Sequence, residues 1–289
     1  MPHHEDQILA ADGASLYYQG WLPEVDARAA IVAVHGFTEH GGRYAHIAER
    51  LNQRGYAVYA MDLRGHGRSE GPRCFIRSFD QHLDDFDRML ANVRRREPGK
   101  PIFLFGHSMG GLIVTLYTIR RQPEAQGLIV SAAVLRIGDK AFPWLRHLAG
   151  AVGCLLPNLR VVRLGARYLA RDPQAAADYV NDPLVFHGRF PARAGAEMLR
   201  AAELARGQLE AVRLPLLVLH GTADVACDCE GSRELYRRAA SADRTLRLYD
   251  GFYHAIFWEQ DRERVIGDLV EWLDARVPQP EGRGTPSVS

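Results

Sequence analysis

The chain has 289 residues, 47% of them apolar and 25% charged; that is one or two domains' worth of length, enough to bury a large core without a disulfide or metal staple. Thirty-six basic against 35 acidic residues leave a formal net charge of +1, which argues against a nucleic-acid partner gripped through phosphates. The four cysteines, Cys74, Cys154, Cys227 and Cys229, make neither a disulfide framework nor a zinc-ribbon spacing and suit a reducing compartment.

Residues 1–12 are polar and acidic, unlike a secretory signal, and no apolar run reaches the ~18 residues of a membrane span. A cytoplasmic protein, at most peripheral at membranes, is therefore expected. Residues 7–10 and 15–21 flank Asp12-Gly13 and predict an antiparallel hairpin. Short β-type runs follow at 30–34, 56–61, 102–105, 127–130, 216–219 and 245–249. Apolar runs without alternation suit strands buried on both faces of a parallel sheet. Helical patterns fall between them at 43–54, across Phe86, Met89, Leu90 and Val93, at 110–121, around Leu235 and Tyr236, and across Val265 to Leu273. This alternation predicts an α/β fold with a doubly wound, mostly parallel sheet. The alternation stops at about Val134 and resumes at about Leu214, with no clear strand between. Residues 135–208, punctuated by Pro143, Pro157, Pro173, Pro183 and Pro191, are expected to form a helical cap over a core of 1–134 and 209–277. The Pro-, Gly- and Ser-rich tail, 278–289, is expected to be disordered.

The chemistry centres on Gly106-His107-Ser108-Met109-Gly110-Gly111, which places G-x-S-x-G between a predicted strand and a predicted helix, the setting of a nucleophile elbow. A sharp strand-to-helix turn brings backbones close, so the flanking side chains must be absent. A serine hydroxyl needs a base to become a nucleophile, and on this fold the partners follow in the order acid, then histidine. Asp224 comes after the strand ending at His220-Gly221, and His254 after the strand ending at Asp250-Gly251. Alone, Asp224 reads as a turn aspartate and His254 as a loop histidine. In that order, at the carboxyl ends of successive strands, they read as a triad with Ser108. Asp228 is expected to cap the next helix and Asp250 to serve its turn. The expected oxyanion donors are the backbone N–H groups of Met109 and of Phe37, which follows His35-Gly36. His35 itself reads as structural rather than as a base.

The resemblance to a family is carried by whole segments. His35-Gly36-Phe37-Thr38-Glu39-His40-Gly41-Gly42-Arg43-Tyr44, Asp62 through Gly71, the elbow, Asn181-Asp182-Pro183-Leu184-Val185, His220 through Asp224 and Tyr249 through His254 resemble the corresponding segments of monoacylglycerol lipases and related bacterial lysophospholipase-type hydrolases. The match runs from about residue 7 to 274. It implies an α/β-hydrolase fold with a helical cap and hydrolysis of carboxylic esters of monoacylglycerols or lysophospholipids, without metal or cofactor. The expected partner is thus a small lipid ester. The resemblance also places a thiol at Cys227, which either lines the site or is an inert small residue. His66 and His107 read as loop hydrogen-bonders. Arg64 and Arg68 read as solvated loop arginines, with contact to an anionic head group as the alternative. Phe142, Trp144, Leu145 and Leu148 are expected either to roof the pocket or to touch a membrane or micelle surface. A dehalogenase or epoxide hydrolase would want an acid at position 108, and no acidic cap residues suggest an aminopeptidase's amine site.

Overall fold

The computed structural model describes residues 2–137, 152–163, 165 and 169–277. The apolar cap face expected at Phe142, Trp144, Leu145 and Leu148 and the tail expected at 278–289 lie outside the described residues.

An antiparallel hairpin opens the chain, β1 (His3–Leu9) and β2 (Ser15–Trp21). Then come β3 (Ala29–Val34), α1 (Ala45–Asn52), β4 (Tyr56–Met61), α2 (Phe79–Arg96), β5 (Ile102–His107), α3 (Met109–Arg121) and β6 (Gly127–Ser131). After the insertion come β9 (Leu216–Gly221), α6 (Cys229–Arg238), β10 (Arg244–Tyr249) and α7 (Arg262–Asp274). The eight strands form one sheet in the order β1-β2-β4-β3-β5-β6-β9-β10. All neighbours from β4 onward are parallel. Every residue of β3, β4, β5, β6 and β9 is buried, because helices cover both faces. On one face Val32, Leu104, Val130 and Val218 pack under α2 and α3 with Phe86, Met89 and Leu112. On the other, Ile31, Phe103, Ile129 and Leu217 pack under α1 and α7 with Ile47, Leu269 and Trp272. The edge strand β10 is only partly buried, so it carries Arg244 and Arg247 among its apolar residues.

Two boundaries differ from the expectation. The first helix starts as a 3-10 turn at Gly41–Tyr44, with the His40 side chain capping Gly42 N–H. Helix α2 starts at Phe79, capped by Ser78, about two turns before its first dense apolar cluster. The insertion between β6 and β9 also holds β7 (Arg160–Val162) and β8 (Phe190–Pro191), a small antiparallel pair, where no strand was expected. Three and two residues are too few to show an alternating pattern. Around them lie α4 (Pro173–Asn181) and α5 (Ala192–Arg206). Since β6 and β9 are paired neighbours, Leu128 opposite Leu216, the insertion leaves and re-enters the sheet at adjacent strands.

Candidate active site

Ser108 sits between β5 and α3 with φ 56° and ψ −118°, a left-handed backbone that a non-glycine residue holds only under constraint. The constraint is visible on both sides. Ser108 N–H donates to Ser131 O at 2.8 Å, and its carbonyl accepts from Leu112 at 3.1 Å and Val134 at 3.2 Å. A Cβ on Gly106 would lie 2.3 Å from Gly110 O, and one on Gly110 would lie 2.1 Å from Val34 O. Both glycines are therefore required by backbone contact.

From this elbow a chain of side-chain bonds crosses to the ends of β9 and β10. Ser108 Oγ lies 2.8 Å from His254 Nε2, and His254 Nδ1 lies 2.6 Å from Asp224 Oδ2. A carboxylate only accepts, so the proton is on Nδ1, and Nε2 offers its lone pair to the serine hydroxyl. Asp224 Oδ1 accepts the N–H groups of Ala226 at 2.7 Å and Cys227 at 3.0 Å. Its Oδ2 also accepts from His220 Nε2 at 3.0 Å, and His220 Nδ1 accepts the Ser232 hydroxyl at 2.7 Å. Burial works against the Asp224 charge, but His254 and His220 outweigh it and hold the carboxyl far below its usual range. Burial likewise disfavours His254 protonation, yet the Asp224 carboxylate raises its pKa well above 6.5.

The histidine loop is held on both flanks. Tyr253 N–H donates to Glu259 Oε1 at 2.8 Å, and Ala255 N–H donates to Leu169 O at 2.6 Å. The His107 ring lies 4.9 Å from that of His254, with Nδ1 3.1 Å from Ser131 Oγ. Burial and the neighbouring His254 push its pKa down to about 3, so it is a neutral wedge.

The turn after β3 lies against the nucleophile: a Cβ on Gly36 would be 3.1 Å from Ser108 Cβ. Gly36 N–H donates to Glu39 Oε1 at 2.7 Å, which also accepts the Tyr44 hydroxyl at 3.1 Å. Glu39 Oε2 takes Arg43 Nε at 3.0 Å. Burial opposes the Glu39 charge, but Arg43 and the Gly36 N–H keep its pKa at about 2. Both His35 nitrogens are engaged: Nδ1 donates to Gly36 O at 2.7 Å and Nε2 accepts Leu63 N–H at 2.9 Å. Burial, then His66, push its pKa to about 3, so it has no free lone pair to act as a base.

The structure thus brings Ser108, Asp224 and His254 together, with Met109 opening α3 beside the nucleophile and Phe37 in the adjoining turn. His66 Nδ1 bonds Arg64 O at 2.9 Å. Arg64 is not a solvated arginine: it bonds Asp85 at 2.9 Å and Asp12 at 2.8 Å, and four of its five N–H donors are taken by these two carboxylates. Arg68 pairs with Glu5 at 2.7 Å. Asp228 caps α6 by accepting Glu230 N–H at 2.9 Å, and Asp250 accepts the Thr222 hydroxyl at 3.0 Å. Cys227 is buried, and burial pushes its thiol pKa up. Its sulfur, an Asp224 oxygen and a His254 nitrogen lie within 4.8 Å of one another. The carboxylate and ring are already bonded to each other and the thiol stays protonated, so the trio is a poor metal-ligand set. Glu39, Glu259 and the second histidine on the acid, His220, did not stand out in the sequence. The one available signal was their place in or beside the quoted motifs, since their partners are fixed only by the fold.

The family model described as serine aminopeptidase, S33, matches residues 25–261. The chain is 36% identical to the monoacylglycerol lipase of Mycolicibacterium smegmatis, over 93% of this chain and 96% of that one. It is 32% identical to the monoglyceride lipase of Homo sapiens, over 96% and 91%. Among solved structures it is similar to the monoacylglycerol lipase of Paleococcus ferrophilus, at 33% identity and TM-score 0.80, over 96% of this chain and all of that one.

Proposed function

The chain belongs to the serine aminopeptidase S33 family of α/β-hydrolases and is a carboxylic ester hydrolase, and on that premise we propose that Ser108, His254 and Asp224 cleave monoacylglycerol-like esters beneath a cap formed by residues 135–208. The observation that carries the assignment is the continuous relay from Ser108 Oγ to His254 at 2.8 Å and on to Asp224 at 2.6 Å.

His254 Nε2 takes the hydroxyl proton as Ser108 Oγ attacks the ester carbonyl. Asp224 fixes the Nδ1–H tautomer and stabilises the imidazolium that forms. The N–H groups of Met109 and Phe37 receive the oxyanion. Met109 N–H is a natural donor because it is one of the first N–H groups of α3, at the positive end of the helix. The imidazolium returns its proton to the departing glycerol oxygen, leaving an acyl-enzyme. Water then gives its proton to His254 and attacks the acyl carbon, which releases the fatty acid and restores the serine. Lysophospholipid-like esters present the same acyl linkage to the same serine.

A panel of p-nitrophenyl esters, monoacylglycerols and lysophospholipids tests the reading. Monoacylglycerols are expected to give the highest kcat/KM, and Ser108→Ala to abolish turnover of all three. Retained turnover in Ser108→Ala, or failure of the wild type on every lipid ester, overturns it.

A further inference from the structure

In both loops assigned to the reaction, the residue on one side of the key group is tied to the core and the residue on the other side to the insertion. Before Phe37, Gly36 N–H is held by Glu39 at 2.7 Å. After it, Thr38 O accepts Phe186 N–H at 2.8 Å, and Thr38 Oγ1 lies 2.6 Å from the Tyr179 hydroxyl. The Thr38 hydroxyl itself donates to Phe37 O at 2.6 Å, so Tyr179 is the donor to Thr38. Two residues further, His40 Nδ1 accepts Gly42 N–H at 3.2 Å, which leaves Nε2–H for Asp182 Oδ2 at 2.8 Å. The Phe37 ring meets Phe190 edge-on at 5.2 Å. Around His254 the pattern repeats. Tyr253 N–H is held by Glu259 at 2.8 Å, and Ala255 N–H by Leu169 O of the insertion at 2.6 Å. The same buried Glu259 anchors Arg171, through its Nε at 3.0 Å.

Thr38 has φ 70°. A β-branched residue holds this left-handed conformation only where its surroundings over-determine it, and here the insertion supplies two of the bonds on Thr38 itself. We propose that residues 169–190 are a brace that sets the positions of both catalytic loops, with Tyr179 and Asp182 as positioning residues for the Phe37 N–H. This rests on the assignment of that N–H as an oxyanion donor. A segment that merely encloses the acyl chain would act on KM, in proportion to acyl length. A brace acts on the transition state of every substrate, acetate included, because only the oxyanion needs the loop in register.

The test measures kcat and KM on p-nitrophenyl acetate and p-nitrophenyl laurate for wild type, Tyr179→Phe, Asp182→Ala and Ser108→Ala. It adds the inhibition constant of butylboronic acid, which forms a tetrahedral adduct on a reactive serine. Tyr179→Phe and Asp182→Ala are expected to lower kcat at least fivefold, by the same factor on both esters, with KM within twofold and boronate affinity weakened in parallel. Unchanged kcat, a loss confined to laurate, or a loss expressed in KM overturns the brace. If Asp182→Ala does not fold, Tyr179→Phe, which removes one oxygen atom, decides alone. Wild-type turnover in Ser108→Ala overturns the underlying mechanism instead, whereas an inactive Ser108→Ala beside a fully active Tyr179→Phe overturns the brace only.

Discussion

Three aspartates lie in the loops after β9 and β10, and their bonds separate them. Asp224 receives four donors, two backbone and two imidazole, whereas Asp228 caps a helix and Asp250 serves a turn. Losing the acid that fixes the histidine tautomer costs about four orders of magnitude in turnover in serine proteases. Asp224→Asn is therefore expected to be folded and nearly inactive on a soluble ester, and Asp228→Asn and Asp250→Asn to stay substantially active. Circular dichroism confirms folding, and activity in Asp224→Asn alone among the three would move the acid elsewhere. The pH profile follows from the same contacts. In the proposed mechanism catalysis needs neutral His254, and Asp224 lifts the pKa of that histidine well above 6.5. Activity is thus absent at low pH and rises as pH passes the folded-state pKa, so the acid limb of kcat/KM has its midpoint above 6.5. A midpoint at or below that value would mean the carboxylate does not govern the imidazole.

Elements were legible where their patterns were long. The buried strands β3, β4, β5, β6 and β9 read as continuous apolar runs because helices cover both faces of the sheet. The start of α2 was not legible, since residues 78–85 are polar apart from Phe79 and Leu83. The β7–β8 pair was too short to leave a period. At the site, the elbow and the loops bearing Asp224 and His254 were readable from motif and strand order. The bracing contacts were not, because Tyr179 and Thr38 are 141 positions apart and no local spacing links them. Helix α6 offers a quantitative check at this scale. Asp228 caps its N-terminus, and removing such a cap costs about 1 kcal/mol. Urea unfolding of Asp228→Ala should show a loss of that order with the slope unchanged. A loss several times larger would assign the residue more than a cap, for instance through its pairing with Arg136 at 3.3 Å.

For the whole molecule, the sheet with its two helical layers is the support, and in the proposed reading the insertion between β6 and β9 is the part that selects substrate. Among the described residues, no helix is long and apolar enough to cross a membrane. If the cap encloses the acyl chain, each methylene it accommodates adds up to ~0.8 kcal/mol, about fourfold in affinity. Monolaurin should then exceed triacetin, whose acyl chains are too short, and triolein, whose three chains are too bulky. Equal kcat/KM for the three would show that the chain is not enclosed.

The distance along the chain between Ser108 and His254, 146 positions, also has a meaning in time. A ribosome adding ~5–20 residues per second delivers the serine roughly 7–30 s before the histidine exists. Through that interval the elbow has no base, and its hydroxyl is as unreactive as any other serine. The acid and the histidine arrive on the last two strands, and β9 enters the sheet only by pairing with β6 across the insertion. On the proposed triad, reactivity is therefore a late property of synthesis. A truncated or stalled chain carries the nucleophile without the means to use it, and lipid hydrolysis begins only when nearly the whole protein has been made and folded.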